Sequence, residues 1–345
     1  MAQPDRDALL QVAGITADGA GMAVASVRAA PDRLHGLGPG RLHRWDNTAR
    51  AVLAGPVPAA REYLETTAAT LLAALDAVPE LLVVEAAPPG IDPAILAEVT
   101  GLPVVHTLRE ADLRLGGAGR PLSPVFHHAL ATYLGLGRLT LLDLGAQRAL
   151  LSQAAPEAGA PGHDGALCAF EAGPGLGLLD ALASAPRRAK GRQGKLRRKV
   201  LDAALQAPHL ARLPPKWLGE GDFAMLGPDL ARLHPADAAA TLRALVAETV
   251  LRGLTLLPVP PERLIVTGPG RADAGTLTRL ARALPCPVIR AEDAGLPGDV
   301  LAAQSIAFLG LRAAHGLPTS FPATTGVAAC VGGAEVATPE VSASG

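Results

Sequence analysis

The stretch CAFEAGPGLGLLDAL, residues 168–182, combines an apolar run, a glycine turn and the start of a helix. The apolar run is typical of a buried strand, and an amphipathic helix is predicted from near Leu176. A single carboxylate, Glu171, stands at the predicted break, and Gly173 and Gly175 let the backbone approach a bound group closely. Because the first N–H groups of a helix are unpaired and carry partial positive charge, this turn is suited to phosphate or other anionic oxygens.

Two other interpretations of this stretch stay open. The first is an ordinary strand-to-helix turn with an incidental acid. The second is a dinucleotide fingerprint, which is less favoured because the glycines follow G-x-G-x-G and not G-x-G-x-x-G.

The composition places the chain among globular proteins that act on small molecules. It has 345 residues, 49% of them hydrophobic, which is enough for a large core and two domains. A formal net charge of −1 excludes a general attraction to nucleic acid or to an anionic membrane. The three cysteines are far apart, which predicts reduced, buried thiols, and Asp5, Arg6 and Asp7 do not suit a signal peptide. These features predict a cytoplasmic protein.

A second glycine-rich segment lies near the start of the chain. The apolar runs Leu9–Val12 and Ala20–Val27 predict two strands of a hairpin, with a loop from Gly14 to Gly19 between them. In this loop, Thr16 offers a hydroxyl and Asp18 a carboxylate that could hold a hydrated Mg²⁺. The alternative is a plain hairpin, since Asp-Gly is a common turn sequence. This loop is the second candidate site, and its residues are Gly14, Ile15, Thr16, Ala17, Asp18 and Gly19.

The densest group of informative residues follows a predicted helix. Asp92 caps this helix, Pro93 occupies its first position and Gly101 stops it. Arg109 and Asp112 come next, beside a turn that contains Gly116 and Gly117. An arginine fork of donors and a carboxylate acceptor could clamp a polyhydroxylated ligand at this turn, and we predict substrate contacts for these four residues. The alternative is an i, i+3 salt bridge at a helix end.

The second half of the chain repeats the alternation of strands and helices. Strands are predicted at Leu139–Leu144 and Ala149–Ser152, and another at Arg263–Val266 ends in Gly268 and Gly270. A strand, a glycine turn and a helix in this order suit a nucleotide, so both glycines are predicted phosphate contacts along with Gly173 and Gly175. The basic run at 187–199 lacks interleaved aromatic residues, which favours a solvated face over a nucleic-acid site.

With these pieces in order, the chain resembles the anhydro-N-acetylmuramic acid kinase family, which belongs to the superfamily of sugar kinases, heat-shock chaperone ATPases and actin. The most specific part of the likeness is the segment from Asp92 to Leu130. Further matches follow in the same order along the chain: Gly173-Pro-Gly175, Asp180, Pro214-Pro-Lys216, Gly219, Phe223, Asp237, Thr241-Leu242, Gly268, Gly270 and Thr325-Gly326.

The resemblance implies an α/β protein with the two-domain actin-like ATPase fold, which is ribonuclease-H-like, and a central cleft. We divide the chain into an N-terminal domain at 1–135, a C-terminal nucleotide-binding domain at 136–330 and a disordered tail at 331–345. The implied activity uses ATP and Mg²⁺ to open the 1,6-anhydro ring of anhydro-N-acetylmuramic acid with water and to phosphorylate O6, in recycling of cell-wall sugars. The predicted partners are the sugar, ATP and a second copy of the chain, with no nucleic acid and no membrane.

Departures from the family pattern are concentrated at the residues that correspond to the family's active site. The catalytic Asp of the family, which activates the attacking water, matches Glu171, and the phosphate loop Gly-Thr-Ser-Leu-Asp-Gly is Gly-Ile-Thr-Ala-Asp-Gly at 14–19. The family segment Asn-Ile-Gly-Gly begins here with Asp143, and a late Glu is Gln304. The sequence favours an active anhydro-sugar kinase with Glu171 as the base. The alternative is a non-catalytic paralogue that binds nucleotide or sugar and acts through a partner.

Overall fold

The protein, represented by a computed structural model, is described over residues 8–17, 21–75, 78–86, 91–179, 194–219 and 221–339. The chain forms two compact units. Unit 1 contains Met1–Gly137, Gly159–Gly162 and Asp299–Gly345, and unit 2 contains Arg138–Ala158 and His163–Gly298.

Unit 1 is built on a six-stranded sheet with the order β11-β5-β4-β1-β2-β3. In chain order its strands are β1 (Leu10–Ala17), β2 (Gly21–Ala30), β3 (Arg33–Arg44), β4 (Leu81–Ala86), β5 (Val104–His106) and β11 (Glu335–Ala337). Its helices within the described ranges are Asn47–Leu53, Val57–Ala73, Pro93–Thr100, Glu110–Arg114, Pro124–Tyr133, Leu301–Ala314 and Pro322–Thr325.

Unit 2 is built on a five-stranded sheet with the order β10-β9-β6-β7-β8. Its strands are β6 (Leu139–Leu144), β7 (Arg148–Ala154), β8 (Leu167–Pro174), β9 (Leu264–Thr267) and β10 (Val288–Arg290). Its α-helices within the described ranges are Arg198–Ala204, Leu226–Ala231, Pro235–Leu254 and Ala274–Ala283. Short 3-10 turns occur at Pro156–Ala158, Pro208–Ala211, Pro269–Ala272 and Glu292–Ala294.

Apart from the additional edge strand β11 in unit 1, the two sheets have the same topology. In unit 1, β1 is antiparallel to β2 and parallel to β4, β3 is antiparallel to β2, and β5 is parallel to β4. Unit 2 repeats these relationships: β6 is antiparallel to β7 and parallel to β9, β8 is antiparallel to β7, and β10 is parallel to β9. A sheet of order 3-2-1-4-5 with an antiparallel second strand is the ribonuclease-H-like arrangement, so the predicted α/β fold of the actin-like superfamily is confirmed for each unit. The central cleft stays a prediction.

One long helix packs closely on the sheet of each unit, and glycines make this approach possible. In unit 1, a Cβ at Gly14 would lie 1.9 Å from the carbonyl oxygen of Ala303, in the helix Leu301–Ala314. In unit 2, a Cβ at Gly173 would lie 2.4 Å from the Thr249 hydroxyl, in the helix Pro235–Leu254. Because these separations are shorter than any ordinary carbon contact, the two strand glycines set the distance between helix and sheet.

The prediction that Gly14–Gly19 forms a loop is wrong for its first four residues. Strand β1 extends to Ala17, and Ile15 is completely buried in the core of unit 1. The strand continues because Gly14 is needed for helix packing and not for a turn. Asp18 and Gly19 lie outside the described residues.

Two predictions about the end of the chain also need correction. Residues 299–330 were assigned to the C-terminal domain, but they belong to unit 1, where the helix Leu301–Ala314 covers the sheet. The tail from 331 was predicted to be disordered, but β11 pairs with β5 in antiparallel register. Backbone hydrogen bonding to the free edge of β5 orders this short strand despite its small and polar neighbours. Residues 340–345 lie outside the described part.

The predicted caps of the helix after Asp92 are confirmed, whereas the cysteines differ from the prediction. The Asp92 carboxylate accepts a hydrogen bond from the Ala94 N–H, 3.0 Å away, and Gly101 ends the same helix with a φ of +69°. Cys168, Cys286 and Cys330 are all free thiols, but the prediction that they are buried is wrong: Cys168 and Cys286 are half-buried and Cys330 is exposed. Burial raises the pKa of the Cys168 thiol to about 11. In the described part of the chain, no helix combines the length and apolarity that crossing a membrane requires.

Replacing Gly14 with Ala should lower the free energy of unfolding by about 1–3 kcal/mol, because a methyl group would collide with the backbone of the helix Leu301–Ala314. Gly36→Ala is a matched control in the same sheet, since its Cβ would meet only the Arg28 Cβ at 3.9 Å. Urea unfolding of both variants measures the difference. Equal stability of the two variants would contradict the packing role of Gly14.

Candidate functional site

Unit 2 contains a cavity of about 520 Å³ at the ends of several of its strands. Its walls come from the β6–β7 turn, the segment after β8, the turn after β9 and the start of the helix Pro235–Leu254. The lining residues are Gly145, Ala146, Leu176, Gly177, Leu179, Pro235, Ala236, Ala239, Arg243, Pro269, Gly270, Ala272 and Asp273. This volume lies within the usual range for small-molecule sites.

The glycines predicted to bind phosphate bring the backbone segments around this cavity close together. A Cβ at Gly175 would lie 2.2 Å from the Gly145 carbonyl oxygen. A Cβ at Gly268, whose φ is +72°, would lie 2.2 Å from Oδ1 of Asp143, and one at Gly270 would meet the Leu144 side chain at 2.4 Å. The segments around Gly175 and Gly270 therefore both flank the β6–β7 turn within unit 2. Contact of these glycines with phosphate stays a prediction.

An arginine–aspartate pair forms the charged part of the cavity wall. Nε of Arg243 donates to both carboxylate oxygens of Asp273 at 2.9 Å, and Nη2 donates to Oδ2 at 2.7 Å. Asp273 also accepts from the Thr276 N–H at 2.8 Å and so caps the helix Ala274–Ala283. Burial alone would raise the pKa of Asp273, but hydrogen bonds from Arg243 and Thr276 lower it below its usual value. The carboxylate is thus held in its charged form.

Glu171 lies inside β8 and not at the break where the sequence placed it. Its side chain is 1% exposed, Oε1 accepts from Nη1 of Arg148 at 2.9 Å, and Oε2 accepts from the Leu218 N–H at 2.6 Å. The Glu171 N–H donates to the Lys216 carbonyl at 2.9 Å. The segment that contains Lys216 and Leu218 therefore covers the outer edge of β8 at this residue and anchors the carboxylate.

Further ionisable groups surround the backbone of Glu171. A ring nitrogen of His209 lies 2.7 Å from the Glu171 carbonyl oxygen, and Nδ1 of His209 lies 3.7 Å from Oδ2 of Asp222. Lys216 is buried above the Phe170 ring. Burial lowers the pKa of both His209 and Lys216, and in each case the charge of Arg212 adds to the effect.

In unit 1, Arg109 follows the end of β5 and pairs with Glu85 near the end of β4. The Arg109 side chain is 46% exposed, so its guanidinium is open to solvent at one end of the sheet. Between β5 and Arg109, Thr107 has a φ of +57°, which is uncommon for a residue with a branched side chain. Such outliers often occur at binding sites, where the surrounding structure stabilises them.

Asp112 holds the glycine turn that the sequence singled out. Its side chain is 1% exposed, Oδ1 accepts from the Gly119 N–H at 2.6 Å, and Oδ2 accepts from the Thr325 hydroxyl at 2.5 Å. A Cβ at Gly117 would lie 2.1 Å from Oδ1, so only glycine fits there, and Gly116 has a φ of +81°. The structure thus gives Asp112 a positioning role. Direct contact of Asp112, Gly116 or Gly117 with a substrate stays a prediction.

Three residues predicted to bind phosphate lie in a strand or against a helix. Gly14 and Ile15 are buried in the sheet of unit 1, and Gly173 faces Thr249 in the core of unit 2. Their side-chain positions are therefore used for packing. Thr16 and Ala17 are partly exposed at the end of β1, next to residues 18–20, which lie outside the described part.

The Mg²⁺ prediction falls on Asp18, outside the described residues. In the ranges that the structure describes, no three His, Cys, Asp or Glu side chains cluster in a way that could hold a metal ion. Mg²⁺ in phosphotransferases is commonly held by one or two carboxylates together with substrate phosphates.

Comparison with known proteins gives the family. The sequence model of the family described as anhydro-N-acetylmuramic acid kinase matches residues 90–336. The chain is 41% identical to the anhydro-N-acetylmuramic acid kinase of Ruegeria sp. (strain TM1040), over 72% of this chain and 68% of the relative. It is also 41% identical to the enzyme of the same name from Roseobacter denitrificans, over 73% and 69%. The chain belongs to the anhydro-N-acetylmuramic acid kinase family.

The family match covers most candidate residues of both units, but not Glu85 or the segment Gly14–Gly19. Asp112, Glu171 and the cavity residues lie within 90–336, whereas Gly14–Gly19 lies before the matched range. Among solved structures, one match is the activator of the 2-hydroxyisocaproyl-CoA dehydratase from Clostridium difficile. The alignment covers 88% of this chain and 96% of the activator, with 10% identity and a TM-score of 0.43. A likeness this weak adds nothing to the topology seen here.

Sequence reasoning missed Arg148, Leu218, Arg243 and the role of Asp273. The partners of the two ion pairs are 23 and 30 residues apart, respectively, so no local spacing indicates them. Asp273 is followed by a helix, and a cap could have been predicted there. Its pairing with Arg243 depends on the packing of two helices.

The bond from Thr325 to Asp112 joins two residues that are 213 positions apart. Thr325→Val keeps the shape of the side chain but leaves Oδ2 of Asp112 without this donor, and we expect a loss of about 1–3 kcal/mol in the free energy of unfolding. Thr325→Ser keeps a hydroxyl and is the control, with a smaller loss. Urea unfolding measures both, and an equal loss in the two variants would contradict the importance of this hydrogen bond.

Proposed function

We propose that this protein is an ATP-dependent anhydro-sugar kinase. Its substrate is anhydro-N-acetylmuramic acid, whose 1,6-anhydro ring is opened by water while O6 receives the γ-phosphoryl group, in the recycling of cell-wall sugars. The observation that carries the proposal is the family match over residues 90–336 with two relatives of that name at 41% identity. Because ATP is required, we propose that the protein works in the cytoplasm. We also propose that it forms a homodimer.

The cavity of unit 2 is the proposed nucleotide site. Its size fits a nucleoside, and Gly270 lies in its wall. Gly175, Gly268 and Gly270 are the proposed phosphate neighbours in this unit. Asp18 is the proposed Mg²⁺ residue, and the ion, when bound, would neutralise charge on the transferred phosphoryl group.

The end of the sheet in unit 1 is the proposed sugar site. Arg109 offers a planar fork of N–H donors there, and Asp112 fixes the turn of Gly116 and Gly117 beside it. Hydroxyl and acetamido oxygens of a sugar are suitable acceptors for such donors. The charge of Glu85 directs the guanidinium, so the Arg109 donors are oriented before the sugar binds.

Glu171 is the proposed general base. It would take a proton from the water that attacks the anomeric carbon, while the bond from that carbon to O6 breaks and O6 attacks the γ-phosphorus. Arg148 and the Leu218 N–H hold the carboxylate in one orientation, which favours positioned catalysis. Because this carboxylate is buried, the proposal requires Arg148, whose side chain is 34% exposed, to move and admit the water.

The direct test is phosphorylation of anhydro-N-acetylmuramic acid with ATP and Mg²⁺, with formation of the 6-phosphate followed by mass spectrometry. We expect turnover in the wild type. Glu171→Gln should abolish it while nucleotide binding persists, since the amide cannot accept the proton and a base of this kind is worth about 10²–10⁴ in rate.

Glu171→Asp keeps a carboxylate but shortens the arm by one methylene, so it should also lose activity in an enzyme adapted to Glu171. Full activity of Glu171→Gln would contradict the assignment of the base. An inactive wild type with restored activity in Glu171→Asp would instead favour the non-catalytic alternative.

Arg109→Ala should raise KM for the sugar at least tenfold, with little change in melting temperature. The small stability effect follows from the exposure of the Arg109–Glu85 pair, since exposed pairs contribute about 0–1 kcal/mol. Arg114→Ala is the matched control, because its Nε bonds only to the Glu110 carbonyl in the described contacts. A large fall in melting temperature with unchanged KM would assign Arg109 a purely structural role.

A further inference from the structure

The cavity of unit 2 is lined almost entirely by side chains that cannot form hydrogen bonds. Among its described lining residues, only Arg243 and Asp273 have polar side chains, and the others are glycine, alanine, leucine or proline. A site that distinguishes adenine from guanine by their edges needs donors and acceptors placed against the exocyclic groups. Among the described lining residues, the side chains offer such groups only at the Arg243–Asp273 pair.

Many backbone donors of the cavity wall are already in use. Leu176 and Gly177 donate their N–H groups to the carbonyls of Gly145 and Ala146 at 3.1 and 2.7 Å. Asp273 donates to the Gly270 carbonyl at 2.9 Å, and Ala236 donates to a ring nitrogen of His234 at 3.3 Å. Pro235 and Pro269 have no N–H at all. The backbone therefore contributes little to compensate for the apolar side chains.

The guanidinium of Arg243 is held as a rigid plane. Three hydrogen bonds to Asp273 use Nε and Nη2, and the paired carboxylate is itself fixed by the Thr276 N–H. The side chain also lies against Gly275, where a Cβ would be 2.8 Å from Cδ of Arg243 and 2.9 Å from Nε. Nη1 has no hydrogen-bond partner among the described residues, and the side chain is 34% exposed. This planar cation is thus oriented before any ligand enters.

Planar bases bind well to such a surface. Stacking on aromatic rings or guanidinium planes tolerates different bases, because every base has a π-face. A site that forms hydrogen bonds with polar groups of its ligand discriminates against ligands without those groups by about 10⁴–10⁵-fold. An apolar pocket discriminates between similar ligands by only about 10–200-fold. The net charge of the Arg243–Asp273 pair is zero, so the pair does not repel a triphosphate.

We infer that the nucleotide base stacks on Arg243, and that the cavity binds ATP and GTP with affinities within about tenfold of each other. The inference rests on the proposed nucleotide site. It adds that Arg243 is the residue that binds the planar base, and that the site discriminates only weakly between adenine and guanine. Arg243 acts by direct contact with the base.

Isothermal titration of the purified full-length protein with ATP and with GTP, each with Mg²⁺, tests the inference. For the wild type we expect dissociation constants within tenfold of each other. Arg243→Lys keeps a positive charge beside Asp273 but removes the plane, so it should weaken both nucleotides by about tenfold or more, and by similar factors. The melting temperature of each sample confirms that the variant is folded.

Arg290→Lys is the matched control. Arg290 forms a similar arginine–aspartate pair with Asp293, but both side chains are about half exposed and neither lines the cavity. This variant should bind ATP and GTP as the wild type does. If Arg290→Lys weakens binding as much as Arg243→Lys, the effect is not local and the inference fails.

The remaining outcomes separate this inference from the function on which it rests. A difference of clearly more than tenfold between ATP and GTP binding, in either direction, would overturn the inference and leave the kinase proposal intact. The same holds if Arg243→Lys binds both nucleotides as tightly as the wild type, or if it weakens only one of them. If neither nucleotide binds the wild type at millimolar concentration, the nucleotide site itself is wrong and the inference falls with it.

Discussion

Direct contact between a helix backbone and a sheet is the constraint on which both units depend. In unit 1, Gly14 of β1 packs against the helix Leu301–Ala314, and Gly310 of this helix packs against the sheet. A Cβ at Gly310 would lie 2.3 Å from the Val83 side chain. In unit 2, Gly173 of β8 and Gly253 of the helix Pro235–Leu254 have the same relationship. Close packing at these points sets the distance between each helix and the sheet that carries the candidate residues.

Buried carboxylates provide the second level of organisation. Asp112 joins the glycine turn of unit 1 to Thr325, and Glu171 joins β8 of unit 2 to Arg148 and to the backbone of Leu218. In both cases a negative charge is removed from water and compensated by specific donors. Such carboxylates favour one arrangement of distant segments, because any other arrangement would leave a charge unpaired.

The sequence predicted the elements well where the signals were local. Asp92 and Gly101 mark a helix that the structure confirms, and the alternation of strands and helices indicated the fold of each unit. Glycine was the weaker signal, since it serves both turns and close packing. Gly14 and Gly173 were interpreted as parts of loops, but they are strand residues against which a helix packs. Only the tertiary structure distinguishes the two uses.

The order of the chain has a consequence for synthesis on the ribosome. Apart from Gly159–Gly162, unit 2 is formed by the continuous stretch from Arg138 to Gly298, so its contacts are complete before the last segment emerges. Unit 1 is different, because β1 needs the helix Leu301–Ala314 and β5 needs β11. Until those residues are translated, one face of the first sheet and the edge of β5 remain exposed. The first residues of unit 1 are therefore completed only after unit 2, and an unpaired strand edge in that interval is a site where other chains can pair.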